Sequence, residues 1–270
     1  MIKITLVQNN AKLADKSYNF QNIEKFLSQN LKEATDIIVL PELFAIGWDC
    51  SCFEAQKEIG FEGETCDFLK KIAKKYNSNV LGGSFVRVDE CGSLKNTMPI
   101  FNRNGELVEY YDKMHLYSYL GDTENKHIKN GEVVKVVKLD VCSLGVSICY
   151  DIRFPEVFRQ LVLNGADILF NCAAWPKSRK DHYITLAKTR AIENQSYFVA
   201  LTQVGLIKNG IYNLGNSLCV DPLGKVLFEM DENVEEVKTF DIDLKIQHDL
   251  RNEVKTLNDI HKKYICKIII

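Results

Sequence analysis

Short apolar runs alternate with amphipathic stretches in the first third of the chain. The segments IKITLVQ (Ile2–Gln8) and DIIVLPE (36–42) predict strands, and the second is a continuous apolar run stopped by proline, which suits a strand buried on both faces. Residues 17–33 and 66–76 carry apolar side chains at helical spacing, so we expect a helix in each. The segment NVLGGSFV, which contains a glycine pair, predicts a further strand.

The same alternation continues to the end of the chain. Residues 97–113 predict a hairpin, because NRNG is a turn signal between two strand-like runs. Residues 155–164, with Pro155 in the first turn, and residues 181–194 predict helices, and a polar helix-like tail ends the chain. The remaining predicted strands are VVKVVKLD, LGVSIC, GADILFNC, SYFVALTQV, GNSLCV, VLFEM and VKTFDIDL.

Strands followed by helices, and then hairpins, are typical of an α/β sandwich with mixed sheets. No linker, low-complexity segment or short-period repeat interrupts the pattern. We therefore expect one domain over residues 1–270, with the tail from about residue 243 packing on that domain or on a partner subunit.

Composition narrows the class of protein. The chain has 270 residues, of which 46% are hydrophobic, which is enough for a sizeable core. Its formal net charge is −2 with both signs well mixed, so nucleic acid is not an expected partner. No apolar run approaches the length of a membrane span, and the N-terminus lacks the pattern of a signal peptide. We expect a cytoplasmic protein.

Cysteine is frequent, but its spacing predicts neither disulfides nor zinc. The number of cysteines is odd, their spacing is irregular, and there is no C-x-x-C pair or Cys/His finger spacing. Most of these thiols are expected to be small core residues in a reducing compartment. The nine are Cys50, Cys52, Cys66, Cys91, Cys142, Cys149, Cys172, Cys219 and Cys266.

Three polar residues follow predicted strands: Glu42, Lys113 and Cys149. Reactive side chains of α/β sheets tend to emerge at the carboxyl ends of strands. Taken alone, Glu42 is better explained as a solvated strand end, Lys113 as an exposed lysine and Cys149 as a core thiol. Together they form a coherent set. A carboxylate can take the proton of a thiol, and an ammonium can stabilise the thiolate and then the oxyanion formed at a carbonyl. The N–H of Tyr150 is a candidate for the second oxyanion donor.

Three segments carry a family resemblance. VLPELF with Glu42, YYDKMHL with Lys113 and GVSICYDIRFPE with Cys149 resemble, in order and separation, the three signatures of the nitrilase, or carbon–nitrogen hydrolase, superfamily. The later segments FNCAAWP, LAKTRAIENQSYFVA and GNSLCVDPLGKVL are similar to those that follow the nucleophile in that family. The resemblance spans nearly the whole chain.

This resemblance implies a four-layer αββα sandwich and a Glu–Lys–Cys triad. Glu42 would be the general base and then the acid, Lys113 would stabilise the tetrahedral intermediate, and Cys149 would form a thioester. Many members carry a second glutamate that positions the substrate and supports the base; Glu124 is the candidate here, and a polar loop residue is the alternative. No cofactor or metal is implied. Pairing of subunits is common in the family, so a homodimer or higher homo-oligomer is expected.

The residues around Cys149 also invite interpretation. We interpret Asp151 and Arg153 as supports of the turn, which pair with each other or bind backbone groups. Glu156 is expected in the first turn of a helix, where the helix dipole favours a carboxylate. The five histidines are dispersed, so no Cys–His dyad is predicted.

Within the superfamily, the length of the chain and the segments CAAWP and RAIENQ are similar to the ω-amidase branch. That branch hydrolyses small dicarboxylate monoamides such as 2-oxoglutaramate or 2-oxosuccinamate. Arg179 is the candidate for gripping the substrate carboxylate, with Lys177 or Lys180 as alternatives. Trp175, like Trp48, is either a pocket wall or a core residue.

Other functions stay open at this point. Within the enzyme class they are hydrolysis of deaminated glutathione, of an N-carbamoyl amide or of a nitrile, because the catalytic trio does not separate these. A non-catalytic binding or assembly subunit is the alternative from another class.

Overall fold

The computed structural model describes residues 1–119 and 122–261, and these form two mixed β-sheets packed face to face with helices on their outer sides. Strands β1–β7 follow one another through the first half of the chain. They are β1 (Ile2–Gln8), β2 (Ile37–Val39), β3 (Glu58–Ile59), β4 (Asn79–Leu81), β5 (Phe85–Val88), β6 (Leu94–Phe101) and β7 (Leu107–Asp112).

The later strands form the second sheet and two small ribbons, and the last strand returns to the first sheet. They are β8 (Ser118–Tyr119), β9 (Asp122–Thr123), β10 (Val136–Lys138), β11 (Ser143–Ile148), β12 (Ile168–Ala173), β13 (Tyr197–Thr202), β14 (Val204–Lys208), β15 (Ile211–Leu214), β16 (Leu218–Val220), β17 (Val226–Glu229) and β18 (Glu236–Ile242).

Six α-helices occur among the described residues, together with short 3-10 turns. The α-helices are α1 (Lys16–Asn30), α2 (Phe53–Gln56), α3 (Glu64–Tyr76), α4 (Pro155–Leu163), α5 (Lys180–Asn194) and α6 (Leu244–Glu253). The 3-10 turns are Cys50–Cys52, Glu124–Lys126, Cys149–Arg153 and Lys177–Arg179.

The first sheet has the order β18-β1-β2-β4-β6-β5-β3, with β7 also paired to β6, and the second has the order β10-β11-β12-β13-β16-β17. Strands β1, β2 and β4 are parallel, and so are β11, β12 and β13. Since the carboxyl ends of parallel strands meet at one edge of a sheet, β2 and β11 each deliver their following loop to such an edge.

Four layers result from the packing of these elements. Helices α1 and α3 cover the first sheet, and α4 and α5 cover the second. The inner faces share one core, in which Ile4 and Leu6 of the first sheet pack in the same cluster as Val146, Phe170 and Val199 of the second. The fold class is therefore the predicted α/β sandwich.

Local sequence explains where several helices begin and end. The Asp15 side chain accepts a hydrogen bond from the Tyr18 N–H at 3.1 Å and so caps α1. Asn77 ends α3 in the left-handed conformation with φ 49°. Pro155 opens α4 with Glu156 in its first turn, as expected.

One predicted strand is wrong. The segment NVLGGSFV contains two strands, β4 and β5, rather than one, because the chain turns at its glycine pair. Gly83 has φ 58°, and a Cβ at this position would lie 2.0 Å from the carbonyl oxygen of Pro41. Only glycine permits this close approach of two loops, one of which carries Glu42.

The tail from residue 243 begins with α6, whose Gln247 is buried against the second sheet. The Tyr197 N–H donates to Gln247 Oε1 at 3.0 Å, and Gln247 Nε2 donates to the carbonyl of Asp167 at 2.9 Å. The end of this tail, 262–270, which includes Cys266, lies outside the described residues. None of the helices in the described ranges combines the length and the apolar character needed to cross a bilayer.

Candidate active site

Three polar side chains that follow three different strands meet at a buried point between the sheets. Glu42 comes after β2, Lys113 directly after β7 and Cys149 directly after β11. Lys113 Nζ lies 2.8 Å from Glu42 Oε1. All three residues are buried: Glu42 is 0% exposed, Lys113 1% and Cys149 6%. The fold thus brings the predicted trio together, in surroundings where electrostatic interactions are stronger than in water.

Glu124 is a second carboxylate on the same lysine. Its Oε2 lies 2.8 Å and its Oε1 3.0 Å from Lys113 Nζ, and Oε2 also accepts a hydrogen bond from the Tyr117 N–H at 2.7 Å. The residue is fully buried. The structure therefore places the candidate second glutamate in contact with the lysine of the trio, and its role in the reaction stays a prediction.

Hydrogen bonds from both sheets hold Glu42. Its Oε1 accepts from Asn96 Nδ2 on β6 at 2.9 Å, and its Oε2 accepts from the Ala174 N–H, just after β12, at 2.9 Å. Its main-chain carbonyl accepts from Gln203 Nε2 at 2.6 Å. With these contacts the carboxylate of Glu42 cannot turn freely, so its orientation in the site is fixed before a substrate binds.

Cys149 occupies a strained backbone position at the start of a 3-10 turn. Its φ is 46°, in the left-handed region that few residues other than glycine adopt. The Asn171 side chain donates to the Cys149 carbonyl at 3.4 Å, and the thiol lies 4.0 Å from the carbonyl oxygen of Ala174. The turn directs the side chain out of the end of β11 toward the carboxylate and the ammonium.

The surroundings of the Cys149 thiol have opposing effects on its pKa. Burial raises the pKa of Cys149 well above its usual value, Glu42 raises it further, and Lys113 acts against both. The resting nucleophile is therefore a thiol rather than a thiolate. Deprotonation must accompany attack, and Glu42, whose carboxylate acts directly on the pKa of the thiol, is the candidate to receive the proton.

Lys113 remains charged although it is completely buried. Burial disfavours its charge, but the carboxylates of Glu124 and Glu42 outweigh burial and raise its pKa well above the usual value. Burial also raises the pKa of Glu124, against the opposing effect of Lys113. The lysine thus offers a permanent positive charge, which is what a developing oxyanion requires.

A cavity of about 410 Å³ opens beside Cys149. The sequence-predicted Tyr150, Trp175 and Arg179 all line it, and the indole Nε1 of Trp175 donates to the Arg179 carbonyl at 2.9 Å. Its other lining residues are Trp48, Tyr117, Arg153, Ala174, Pro176, His182, Ile207, Lys208 and Ile211.

Arg153 is a cation in the wall of this cavity rather than a partner of Asp151. Its guanidinium carbon lies 4.9 Å from the ring centre of Trp175 and 5.6 Å from that of Tyr150, and its Nη1 is 3.4 Å from His182 Nδ1. Asp151 contacts other groups. The expected pairing of the two is therefore wrong, because the 3-10 turn points their side chains in different directions. The alternative expectation, that the side chain binds backbone groups, is confirmed for Asp151, which accepts from the N–H groups of Ile148 and His115.

The remaining basic candidates divide between cavity and surface. Lys208, on the ribbon β14–β15, lines the cavity, and its Nζ lies 3.1 Å from Asp49 Oδ1. Lys177 and Lys180, the alternatives to Arg179, do not line it; they lie 3.5 and 3.2 Å from Glu232 on the outer surface.

The sequence did not predict that Asn96 contacts Glu42, or that Arg153 and Lys208 line the cavity. For Arg153 the sequence contains an indication, because this residue lies in the same short turn as Cys149. For Asn96 and Lys208 it contains none, because their positions depend on which strands pair and on where a surface ribbon folds back.

Within the described residues, no group of three or more His, Cys, Asp or Glu side chains is arranged to hold a metal ion.

Comparison with known proteins finds similar sequences over nearly the whole chain. The model of the carbon–nitrogen hydrolase family matches residues 3–251. The 2-oxoglutaramate amidase of Bacillus subtilis is 34% identical over 96% of this chain and 97% of its own length. A deaminated glutathione amidase of Dictyostelium discoideum is 32% identical over 92% of this chain and 90% of its own length.

A solved structure shows the same architecture. The crystal structure of Saccharomyces cerevisiae Nit3, described as a member of branch 10 of the nitrilase superfamily, superimposes with a TM-score of 0.84. The two chains share 28% identity, and the match covers 94% of each.

Proposed function

The chain belongs to the carbon–nitrogen hydrolase family, and we propose that it hydrolyses the amide of a small dicarboxylate monoamide to acid and ammonia. Substrates of this class include 2-oxoglutaramate and 2-oxosuccinamate. One observation carries the proposal: Cys149, the member of the buried trio that lines the cavity, opens onto a space whose charged lining residues are basic.

The lining of the cavity favours a substrate that carries a carboxylate. Arg153, Arg179 and Lys208 are placed around the space into which the remote end of a substrate would extend. An arginine can bind a carboxylate through two parallel hydrogen bonds. No Asp or Glu is among the described lining residues, so an ammonium group finds no counter-charge. We therefore expect a 2-oxo acid amide to bind better than glutamine.

In the first half of the reaction, Cys149 Sγ attacks the amide carbon while its proton passes to Glu42. A carbon–sulfur bond forms and the π electrons of the carbonyl move to oxygen, where Lys113 Nζ and the Tyr150 N–H stabilise the negative charge. Glu42 then gives the proton to the amide nitrogen, the carbon–nitrogen bond breaks, and ammonia leaves a thioester on Cys149.

In the second half, water attacks the thioester carbon and gives a proton to Glu42. The second oxyanion collapses with cleavage of the carbon–sulfur bond, and the departing sulfur takes the proton back from Glu42. Glu124 acts through its contacts with Lys113, whose charge and position it maintains. All groups in these steps are side chains or main-chain groups of the protein, so the proposed mechanism uses no cofactor.

The size of the cavity favours a second substrate. A volume of about 410 Å³ exceeds what a small monoamide fills and falls in the range of pockets for larger ligands. A deaminated glutathione molecule, which presents a longer carboxylated group, would also fit the basic lining. N-carbamoyl amides and nitriles remain members of the test panel because the same thiol addition starts their hydrolysis.

The subunit arrangement and the compartment belong to the proposal as well. We propose a homodimer or higher homo-oligomer formed through the outer helices, on which Leu163 of α4 and Ile192 of α5 are half exposed. Light scattering measures the assembly directly. The cytoplasmic location stays a prediction from the sequence.

Ammonia release tests the proposal. The purified protein is incubated with 2-oxoglutaramate, 2-oxosuccinamate, glutamine, deaminated glutathione, a carbamoyl amino acid and a nitrile. We expect release from the 2-oxo acid amides to exceed release from glutamine, to disappear in Cys149→Ala, and to persist in Cys219→Ala, which removes another buried thiol. Activity that survives Cys149→Ala would overturn the mechanism, and inactivity of the wild type on the whole panel would favour a non-catalytic subunit.

A further inference from the structure

Asp151, which does not line the cavity, makes four hydrogen bonds that join the turn of Cys149 to the segment of Lys113. Its Oδ2 accepts from the Ile148 N–H at 3.0 Å and from the Tyr111 hydroxyl at 2.8 Å. Its Oδ1 lies 2.9 Å from both the main-chain N–H and the Nδ1 of His115. The carboxylate is fully buried, so each contact replaces one to water.

These partners bracket both catalytic segments. Ile148 directly precedes Cys149, while Tyr111 and His115 lie two positions before and after Lys113. The hydroxyl of Tyr111 also accepts from the Met114 N–H at 3.2 Å. One side chain thus fixes the chain on both sides of the lysine and immediately before the nucleophile.

An aromatic contact also joins the segment of Lys113 to the turn of Cys149. The ring of His115 stacks on that of Phe154, with centroids 3.6 Å apart and an interplanar angle of 9°. Phe154 belongs to the end of the Cys149 turn, and its N–H donates to the Asp151 carbonyl at 3.0 Å. The lysine segment and the nucleophile turn are therefore held together by packing as well as by hydrogen bonds.

The Tyr111 hydroxyl stays protonated and can therefore donate a hydrogen bond to Asp151. Burial raises the pKa of Tyr111 well above its usual value, and the charge of Asp151 raises it further, so the hydroxyl keeps its proton. A buried carboxylate depends on such donors, and the loss of one leaves an acceptor without a partner.

We propose that Asp151 is a positioning residue that sets the placement of Lys113 relative to Cys149, and that Tyr111 and His115 are the contacts through which it does so. This inference rests on the proposed function of the trio. The backbone of Cys149 is strained, so its side-chain position depends on surrounding contacts. Small displacements of catalytic groups, of about 1 Å, can reduce a rate by about 100-fold.

The decisive variant is Tyr111→Phe, which removes one hydroxyl and adds no volume. Tyr197→Phe is the matched control, because Tyr197 is also buried and lies away from the cavity. Its hydroxyl donates to the main-chain carbonyl of Asp243, the N-cap residue of α6, at 3.2 Å. We expect Tyr111→Phe to lower kcat by about tenfold or more, with KM changed less than about twofold, on the amide that the wild type hydrolyses fastest. Tyr197→Phe should lose comparable thermal stability and keep its kcat.

A second measurement does not require a substrate. The rate of alkylation of Cys149 by iodoacetamide, corrected with Cys149→Ala, reports how well Lys113 supports the thiolate. We expect it to fall in Tyr111→Phe by a factor similar to that in kcat. If the wild type hydrolysed no amide, the proposed function would fail, while this comparison would still test the positioning role.

Two outcomes would overturn the inference. One is a kcat and an alkylation rate in Tyr111→Phe within about twofold of the wild type; the other is an equal loss of both in Tyr197→Phe. Asp151→Asn and Asp151→Ala extend the test, since the asparagine keeps one acceptor oxygen and should retain more kcat than the alanine at equal folded fraction. If the alanine variant does not fold, Tyr111→Phe still decides.

Discussion

The side-chain amide of Asn96 donates to Oε1 of Glu42 at 2.9 Å. The main-chain carbonyl of the same asparagine accepts from the Lys113 N–H, also at 2.9 Å. One residue in the middle of the first sheet therefore holds both the proposed base and the segment of the proposed oxyanion donor. Asn96 Oδ1 is buried and has no partner among the described residues, so the donor side of the amide is the part that acts on Glu42.

Replacing this donor should slow the reaction. In Asn96→Leu the carboxylate of Glu42 loses one of the hydrogen bonds that fix its orientation beside Lys113. We expect kcat/KM to fall by about tenfold. Steady-state kinetics on the amide that the wild type hydrolyses fastest measure the effect.

A matched control separates chemistry from packing at this position. Asn194 is also fully buried, donates to a main-chain carbonyl and has an unpartnered Oδ1, but it lies at the end of α5. Asn194→Leu should keep the kcat/KM of the wild type at equal folded fraction. An unchanged kcat/KM in Asn96→Leu would show that the asparagine does not act on the base.

Glu124→Gln should reduce turnover much more than substrate binding. The substitution removes one of the two carboxylates that contact Lys113. It also replaces the carboxylate that accepts a hydrogen bond from the Tyr117 N–H in the wild type with a neutral amide. We expect kcat to fall by about 100- to 1000-fold, the size typical of a lost oxyanion donor, with KM changed only slightly. Ammonia release at saturating substrate measures the change.

Glu58→Gln is the control for the loss of a buried charge. Glu58 is 7% exposed and pairs with Lys16 at 2.7 Å, away from the cavity. This variant should lose stability while its kcat stays near that of the wild type. A Glu124→Gln protein with the kcat of the wild type would remove Glu124 from the catalytic machinery.

Arg153→Gln should weaken the binding of carboxylated amides selectively. A hydrogen bond to a charged group contributes about 1.5–3 kcal/mol, so KM should rise by about 10- to 100-fold. KM for a neutral amide of similar length should not change, because it makes no such contact. Arg179→Ala in the same assay tests the second candidate, and Arg103→Gln, which alters a surface ion pair, is the control.

The two arginines have separate outcomes in this assay. An unchanged KM for the carboxylated amide in Arg179→Ala would remove Arg179 from substrate recognition. The same result in Arg153→Gln would leave the basic lining of the cavity without the role we propose for it.

The buried thiol of Cys66 should make the protein less stable in alkali. Burial raises its pKa to about 12, and the nearby charge of Glu58 adds to the effect. A cysteine in an unfolded chain ionises at about pH 8.5. The stabilising contribution is therefore complete below that pH. It is lost between there and about pH 12, because only the unfolded state releases the proton.

Urea unfolding between pH 8 and pH 11 measures this loss. A single such thiol contributes a slope of about −1.4 kcal/mol per pH unit to the free energy of unfolding. Cys66→Ala should remove this share of the slope, although the cavity it creates lowers stability at every pH. Cys91→Ser, at an exposed thiol, should leave the slope unchanged. Equal slopes in the wild type and in Cys66→Ala would contradict the prediction.

Local patterns were sufficient for most of the fold. Apolar runs predict β1, β11 and β12, and helical spacing predicts α1 and α3 to within a few residues, because these preferences act over one or two turns of chain. The pattern of NVLGGSFV predicts one strand that runs through its glycine pair. The approach of Gly83 to Pro41, a residue 42 positions away, decided otherwise.

The sequence by itself determined the chemistry at the strand ends: a carboxylate, an ammonium and a thiol, each placed by the strand before it. Only the tertiary structure decided what surrounds them. Asn96 reaches Glu42 because β6 lies beside β4 and β5 in the first sheet, and Arg153 lines the cavity because of the turn after β11. Such contacts depend on the packing of two sheets against each other, and no periodicity along a single strand records that packing.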